Sequence, residues 1–200
     1  IYDAAFKRMG VTRVFDIGEI FDVVELIGRN RIPKGARLGI VTNAGGPGVM
    51  AVDALIAEDG ILAELSDDTF NKLNESLPPY WSKGNPVDVL GDANSKRIAK
   101  AAQILFDDKT IDAVLVILTP QAMTNPAATA AELSKISEAH KKPLLTAFLG
   151  GEKIKEGVRI LNDNGIPVYS TPEQAVRAFM KLVTYSRNLE LLYETPEDIN

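Results

Sequence analysis

Between Ala113 and Thr119 the chain reads AVLVILT, an apolar run unbroken until its last residue. A strand with one wet face alternates polar and apolar residues. A run without alternation suits a parallel strand covered on both sides. Parallel neighbours need long crossovers, usually helices, and the surrounding sequence supplies them. RLGIVT, starting at Arg37, reads as a strand, and GPGVMAVDALIAEDG as a helix with Pro47 near its first turn and Gly60 at its end. LAEL reads as a short second strand. Ser66 opens a helix that runs to Leu77, and Asn94 caps SKRIAKAAQILFDD, whose Ile98, Ala101, Ala102 and Leu105 form an apolar face. After AVLVILT come the helix NPAATAAELSKISEAH, the buried strand PLLTAFL, the helix KIKEGVRILNDNG and the short strand IPVYS. A long final helix starts with Thr171 as N-cap and Pro172 at its first position. The expected fold is α/β, a parallel sheet with helices on both faces.

A lead-in precedes this domain. IYDAAFKRMG reads as a short helix that Gly10 ends. Ile17, Ile20, Phe21, Val24 and Ile27 fall at helical spacing behind Asp16 as N-cap, and RIPKGA is a polar linker. The expected organisation is a helical lead-in and linker over 1–35, the main domain over 36–186 and an extension over 187–200. The first residue is Ile, no signal peptide is visible, and the chain reads as a fragment of a longer polypeptide. A net charge of −5 argues against nucleic acid or an anionic membrane as main partner, and no apolar run approaches the ~20 residues of a membrane span. There is no cysteine, which excludes thiol nucleophiles and thiolate metal sites and fits a reducing cytoplasm. His140 is the single histidine, so a Ser-His-Asp triad or a multi-histidine metal site is close to excluded. It closes a helix in EAHKKP, where a cation complements the helix dipole.

In open parallel sheets, ligands bind beyond the carboxyl ends of strands, near helix N-termini. Three stretches fit. Asn43, Ala44, Gly45, Gly46 and Gly48 lie between the first strand and its helix. Free amides there suit a phosphate or carboxylate. The Gly-Lys-Ser/Thr of a nucleotide loop is missing. The alternative is a glycine-rich turn chosen for close packing. Thr119, Pro120, Gln121 and Ala122 follow AVLVIL, where the amides of Gln121 to Met123 could face an anion; the alternative is an ordinary loop with capping residues. Pro78 to Asp92 is long and turn-rich, and its Asn85, Asp88 and Asp92 could orient a ligand or hydrogen-bond their own turn. GGEKIKEG adds two lysines after a strand and could approach the same end.

GIVTNAGGPGVMAVDAL, GNPVDVLGDA, AVLVILTPQAMTNP and GIPVYSTPEQAVRA occur in this order over nearly the whole chain. Together they resemble the NDP-forming acyl-CoA synthetase family, relatives of succinyl-CoA synthetase. The resemblance implies a flavodoxin-like domain equivalent to the carboxy-terminal domain of the succinyl-CoA synthetase β subunit. It implies the reversible reaction of acyl-CoA, ADP and phosphate to acid, CoA and ATP through a phosphohistidine. The loop at Asn43 would then contact acyl or carboxylate oxygens, and the loop at Thr119 would stabilise the phosphohistidine. The family's Ser-His-Thr-Gly-like motif is not in this chain. In relatives it falls shortly before the YDAAF segment, so the histidine is expected upstream of Ile1, and His140 does not match it. No residue of this chain is then catalytic by itself, and the chain alone completes no turnover. CoA, ADP or ATP and Mg²⁺ would be held by a CoA-binding and an ATP-grasp domain of the same or a second chain, in an oligomer. The rival expectation is a ligand-sensing regulatory module of an acetyltransferase-linked relative. A flavodoxin-like electron carrier is disfavoured, because no aromatic-flanked flavin loop is apparent.

Overall fold

A computed structural model describes residues 31–193 continuously and, before them, residues 5, 6, 9–14, 17, 18, 20, 24 and 27. Six parallel strands form one sheet: β1 (Arg37–Thr42), β2 (Ile61–Leu62), β3 (Val87–Asp88), β4 (Ala113–Leu118), β5 (Leu144–Phe148) and β6 (Val168–Tyr169). Their order is β2-β1-β4-β5-β6, with β3 beside the far half of β1. Within residues 31–193 the α-helices are α1 (Gly45–Ala57), α2 (Asp67–Ser76), α3 (Ser95–Asp107), α4 (Pro126–Ala139), α5 (Lys155–Asp163) and α6 (Pro172–Tyr193).

The side-chain period of two divides the central strands between two cores. Val114, Val116 and Leu118 of β4 pack with Ile98 and Leu105 of α3, Leu133 of α4 and Leu161 of α5. Ala113, Leu115 and Ile117 point the other way, to Leu55 of α1 and Val176, Phe179 and Val183 of α6. Every residue of β4 is buried, which is why its sequence shows no alternation. Burying each of these larger apolar side chains contributes about 1.5–3 kcal/mol.

The expected caps are made: Ser66 Oγ accepts from the Thr69 amide (3.3 Å), Asn94 Oδ1 from Arg97 (3.0 Å) and Thr171 Oγ1 from Gln174 (3.2 Å). Several expectations change. The second strand is Ile61–Leu62, not LAEL. The left-handed residue after α1 is Asp59 (φ 57°), while Gly60 is small because a Cβ there would meet Leu55 Cδ1 at 2.2 Å. The turn-rich stretch Pro78 to Asp92 contains β3. A 3₁₀ turn (Gly151–Ile154) precedes α5. The last helix runs from Pro172 to Tyr193.

Among the lead-in residues, Gly10 has φ 70°, as a terminating glycine should. Residues 17, 20, 24 and 27 are helical, but Ile17, Ile20 and Val24 are exposed rather than buried. Asp16 and Phe21 lie outside the described residues. Among the described residues, no helix is long and apolar enough to cross a membrane.

Candidate functional site

Thr42 and Ile117 are paired on neighbouring strands. From β1 the chain leaves through α1 towards β2, and from β4 through α4 towards β5, on the opposite side of the order and on the opposite face. The crevice beyond Thr42 and Leu118 is therefore the place where strand order reverses.

Asn43 closes the floor of that crevice and is 1% exposed. Its Oδ1 accepts from the Thr119 amide (2.8 Å) and hydroxyl (3.1 Å). Its Nδ2 donates to the Thr119 carbonyl (2.7 Å) and to Thr124 Oγ1 (3.2 Å). Gln121 Nε2 donates to the Asn43 carbonyl (3.2 Å). Asn43 thus clamps two loops together and has no side-chain group left for a ligand.

The next residues start α1. Ala44 is its N-cap and offers no side-chain hydrogen bond, and no acidic residue sits in the first turn. The Ala44 amide is taken by Thr42 Oγ1 (3.1 Å), Pro47 has none, and the Gly48 amide reaches back to the Ala44 carbonyl (3.4 Å). Gly45 and Gly46 are exposed and carry the helix's unspent first-turn amides. The dipole adds roughly half a positive charge there. The three glycines have separate reasons. A Cβ on Gly48 would meet Thr42 Cγ2 at 3.1 Å, so Gly48 serves close packing. Gly46 has open space around it. Gly45 faces Asp88, whose Oδ2 would lie 3.4 Å from a Cβ there. Asp88 Oδ1 accepts from the Leu90 amide (2.9 Å), which leaves its other oxygen beside the helix terminus.

The second loop leads into α4 where the sequence puts its start, and Gln121 to Met123 precede the first turn of that helix. They form a separate turn closed by the Thr124 amide on the Gln121 carbonyl (3.1 Å). Helix α4 starts only at Pro126, with Asn125 Oδ1 accepting from the Ala128 amide (3.0 Å). Thr119, Pro120, Gln121 and Ala122 therefore border the crevice as a strand end and a turn, without a helix dipole behind them.

The third stretch also reaches this end. Thr124 Oγ1 donates to the Ala93 carbonyl (3.3 Å), and a Cβ on Gly91 would meet Gln121 Oε1 at 2.5 Å. Asn85, however, is spent inside the sheet. Its Oδ1 accepts from the Ile40 amide (2.9 Å), and its Nδ2 donates to the carbonyls of Leu38 (2.9 Å) and Ala63 (2.8 Å). It replaces a stretch of neighbouring strand in the gap between β2 and β3. Asp92 turns outward to Arg97. The Gly150 segment touches Pro120, where a Cβ on Gly150 would lie 2.4 Å from Pro120 Cγ, and Lys155 pairs with Glu152 (2.7 Å). His140 caps the end of α4, with its Nε2 at 2.7 Å from Gln103 Nε2 and 3.7 Å from Asp107. The Thr42 hydroxyl, which fixes the Ala44 amide and carbonyl, is a site element that the sequence reading missed. Its signal was a hydroxyl residue ending an apolar strand.

Residues 38–192 match the model of the Ligase-CoA domain family. The chain is 40% identical to acetate–CoA ligase (ADP-forming) I of Archaeoglobus fulgidus over 93% of its length, which is 26% of that protein. It is 35% identical to subunit alpha of acetate–CoA ligase (ADP-forming) I of Pyrococcus furiosus, covering 94% of this chain and 41% of that one. Among solved structures, the dinucleotide forming acetyl-coenzyme A synthetase 1 of Ca. Korarchaeum cryptofilum, in complex with phosphate and ADP, superposes with a TM-score of 0.89. It is 28% identical, covering 96% of this chain and 42% of that one. The chain thus spans well under half the length of these relatives.

Proposed function

Given that the chain belongs to the Ligase-CoA domain family, we propose that it forms one wall of the phosphoryl-transfer site of an ADP-forming acyl-CoA synthetase. The observation that carries this reading is the uncapped α1 terminus at the strand-order reversal, with two free glycine amides beside the Asp88 carboxylate. Phosphate attacks the thioester carbonyl of acyl-CoA, the C–S bond breaks, and CoA thiolate leaves an acyl phosphate. A histidine from another domain takes the phosphoryl group, releasing the acid, and passes it to ADP. The phosphoryl oxygens meet the Gly45 and Gly46 amides, which compensate negative charge without reorganising. Asp88 faces the same spot as an acceptor, and an imidazole N–H is the donor that suits it. Asn43 and Thr119 hold the crevice open at a fixed width.

The remaining parts belong to the rest of the enzyme in this reading: the CoA-binding and ATP-grasp domains, with CoA, ADP and Mg²⁺, in the same or a second chain. Among the described residues no three His, Asp or Glu come together as a metal would require. The lead-in over 1–35 connects the domain to its neighbour, and a short carboxylic acid is the substrate class, since the relatives are named acetate–CoA ligases. The Cys-free composition suits work in a reducing cytoplasm.

The test is ATP formation from acetyl-CoA, ADP, Mg²⁺ and phosphate by the complete enzyme that contains this chain. ATP production that Asp88→Asn and Gly46→Asp both suppress supports the reading. A folded complete enzyme that makes no ATP from any of several acyl-CoAs overturns it in favour of a ligand-sensing module.

A further inference from the structure

At the opposite end of the sheet from Asn43, where β1, β4 and β5 begin, lies a cavity of about 720 Å³. Its wall carries Lys34, Arg37, Lys109, Lys141 and Lys142, with His140, against one lining carboxylate, Asp112, while Asp107 and Asp108 lie close enough behind to act on Lys142. This is a strongly cationic surface on a chain whose net charge is −5. The carboxylate does not neutralise the group. Asp112 is held by Arg37 through two bonds of 2.9 Å, from Nε to Oδ2 and from Nη2 to Oδ1, and also accepts from the Arg37 amide. Lys142 is tied to the Asp108 carbonyl. Lys34, Lys109 and Lys141 are exposed and make no ion pair with any described residue. Ile32, Ile111 and Pro143 supply an apolar side to the same space.

We propose that this cavity is a second ligand site, which takes a phosphorylated organic anion of nucleotide size. Three features select that class. Its volume falls within the roughly 300–1,000 Å³ of small-molecule pockets, and it is concave rather than a flat stripe for a polymer. Lysine ammonium groups bind phosphate as mobile point charges, and three of them are uncommitted here. The apolar side gives a ring or chain somewhere to rest, which inorganic phosphate would not use. Nothing in the reaction proposed above employs this end of the sheet.

The test is a titration of the ¹⁵N-labelled 200-residue chain with ADP and, separately, with inorganic tripolyphosphate, followed by amide chemical shifts. Saturable ADP shifts confined to residues 109–112 and 140–142, with a Kd weakened at least tenfold in the triple variant Lys34→Gln, Lys109→Gln, Lys141→Gln, are expected. The three side chains are exposed, so the variant should melt within a degree or two of the parent. Shifts that do not saturate, shifts confined to Gly45 and Gly46, or an unchanged Kd in the triple variant would overturn the site. Tripolyphosphate binding as tightly as ADP would overturn the organic ligand.

Discussion

Asn43 spends both ends of its amide on residues 76 or more positions away, and almost none of it meets water. Removing it leaves the Thr119 amide and carbonyl without these partners in a half-buried place. Asn43→Ala should therefore cost about 2–3 kcal/mol and lower the melting temperature by roughly 4–12 °C. Asp108 is a second buried polar residue with a large effect. Burial pushes its carboxyl up, but hydrogen bonds from Thr69, from the amide and hydroxyl of Thr110 and from the Ser66 amide outweigh burial. They hold it well below the usual carboxylate range. Asp112 is likewise raised by burial and lowered, on balance, by Arg37. A depressed native value means that the stabilisation is complete above the unfolded value of about 3.9 and fades as pH falls below it. Stability should thus be level from about pH 7 to 5 on account of these groups and decline in acid. Asp108→Asn should flatten the acid limb and lower the plateau, as measured by urea unfolding at a series of pH values.

At the scale of elements, glycines decide how closely the helices approach. A Cβ on Gly157 of α5 would sit 2.8 Å from the Pro126 carbonyl oxygen of α4 and 3.2 Å from Phe148. Gly157→Ala should therefore destabilise by about 1–3 kcal/mol, although alanine is the better helix former. Gly46→Ala meets nothing and should leave the melting temperature unchanged or slightly higher. Paired thermal melts of the two variants separate packing from propensity. The same elements mark what could be read from sequence. AVLVILT and PLLTAFL announced buried strands because both faces of β4 and β5 are covered, and Ser66, Asn94 and Thr171 announced helix starts because capping is local. The short strand β3 was invisible, because Val87 and Asp88 are strand residues only through pairing with Val41 and Thr42. Asn85 misled for the same reason. Its turn-forming neighbour Pro86 is legible, whereas its imitation of a strand edge depends on Leu38, Ile40 and Ala63. At the crevice, sequence located the glycine loop. It could not say that Gly48 serves packing while Gly45 and Gly46 keep free amides, since that division rests on Thr42, Pro86 and Asp88.

For the whole molecule, the sheet separates two kinds of surface: a small crevice at one end and a broad cationic cavity at the other. Gly45 and Gly46 at the crevice are exposed, which in the proposed reading suits a reacting group delivered by another domain. Gly46→Asp puts a negative charge where the proposed phosphoryl group would sit. In the complete enzyme it should abolish histidine phosphorylation by ATP while leaving the melting temperature within a few degrees. Outside the crevice, α1 presents Val49, Met50 and Ile56 to solvent, each about half exposed or more, so polar replacements there should not destabilise the chain. The Asn43 clamp also has a kinetic consequence. Its two halves enter the chain far apart, so during synthesis the glycine loop emerges long before the strand that fixes it. The crevice cannot acquire its shape until β4 has docked on β1. The Thr119 amide proton, bonded to Asn43 Oδ1, then acts as a built-in clock: its exchange with deuterium measures how often the assembled site comes apart.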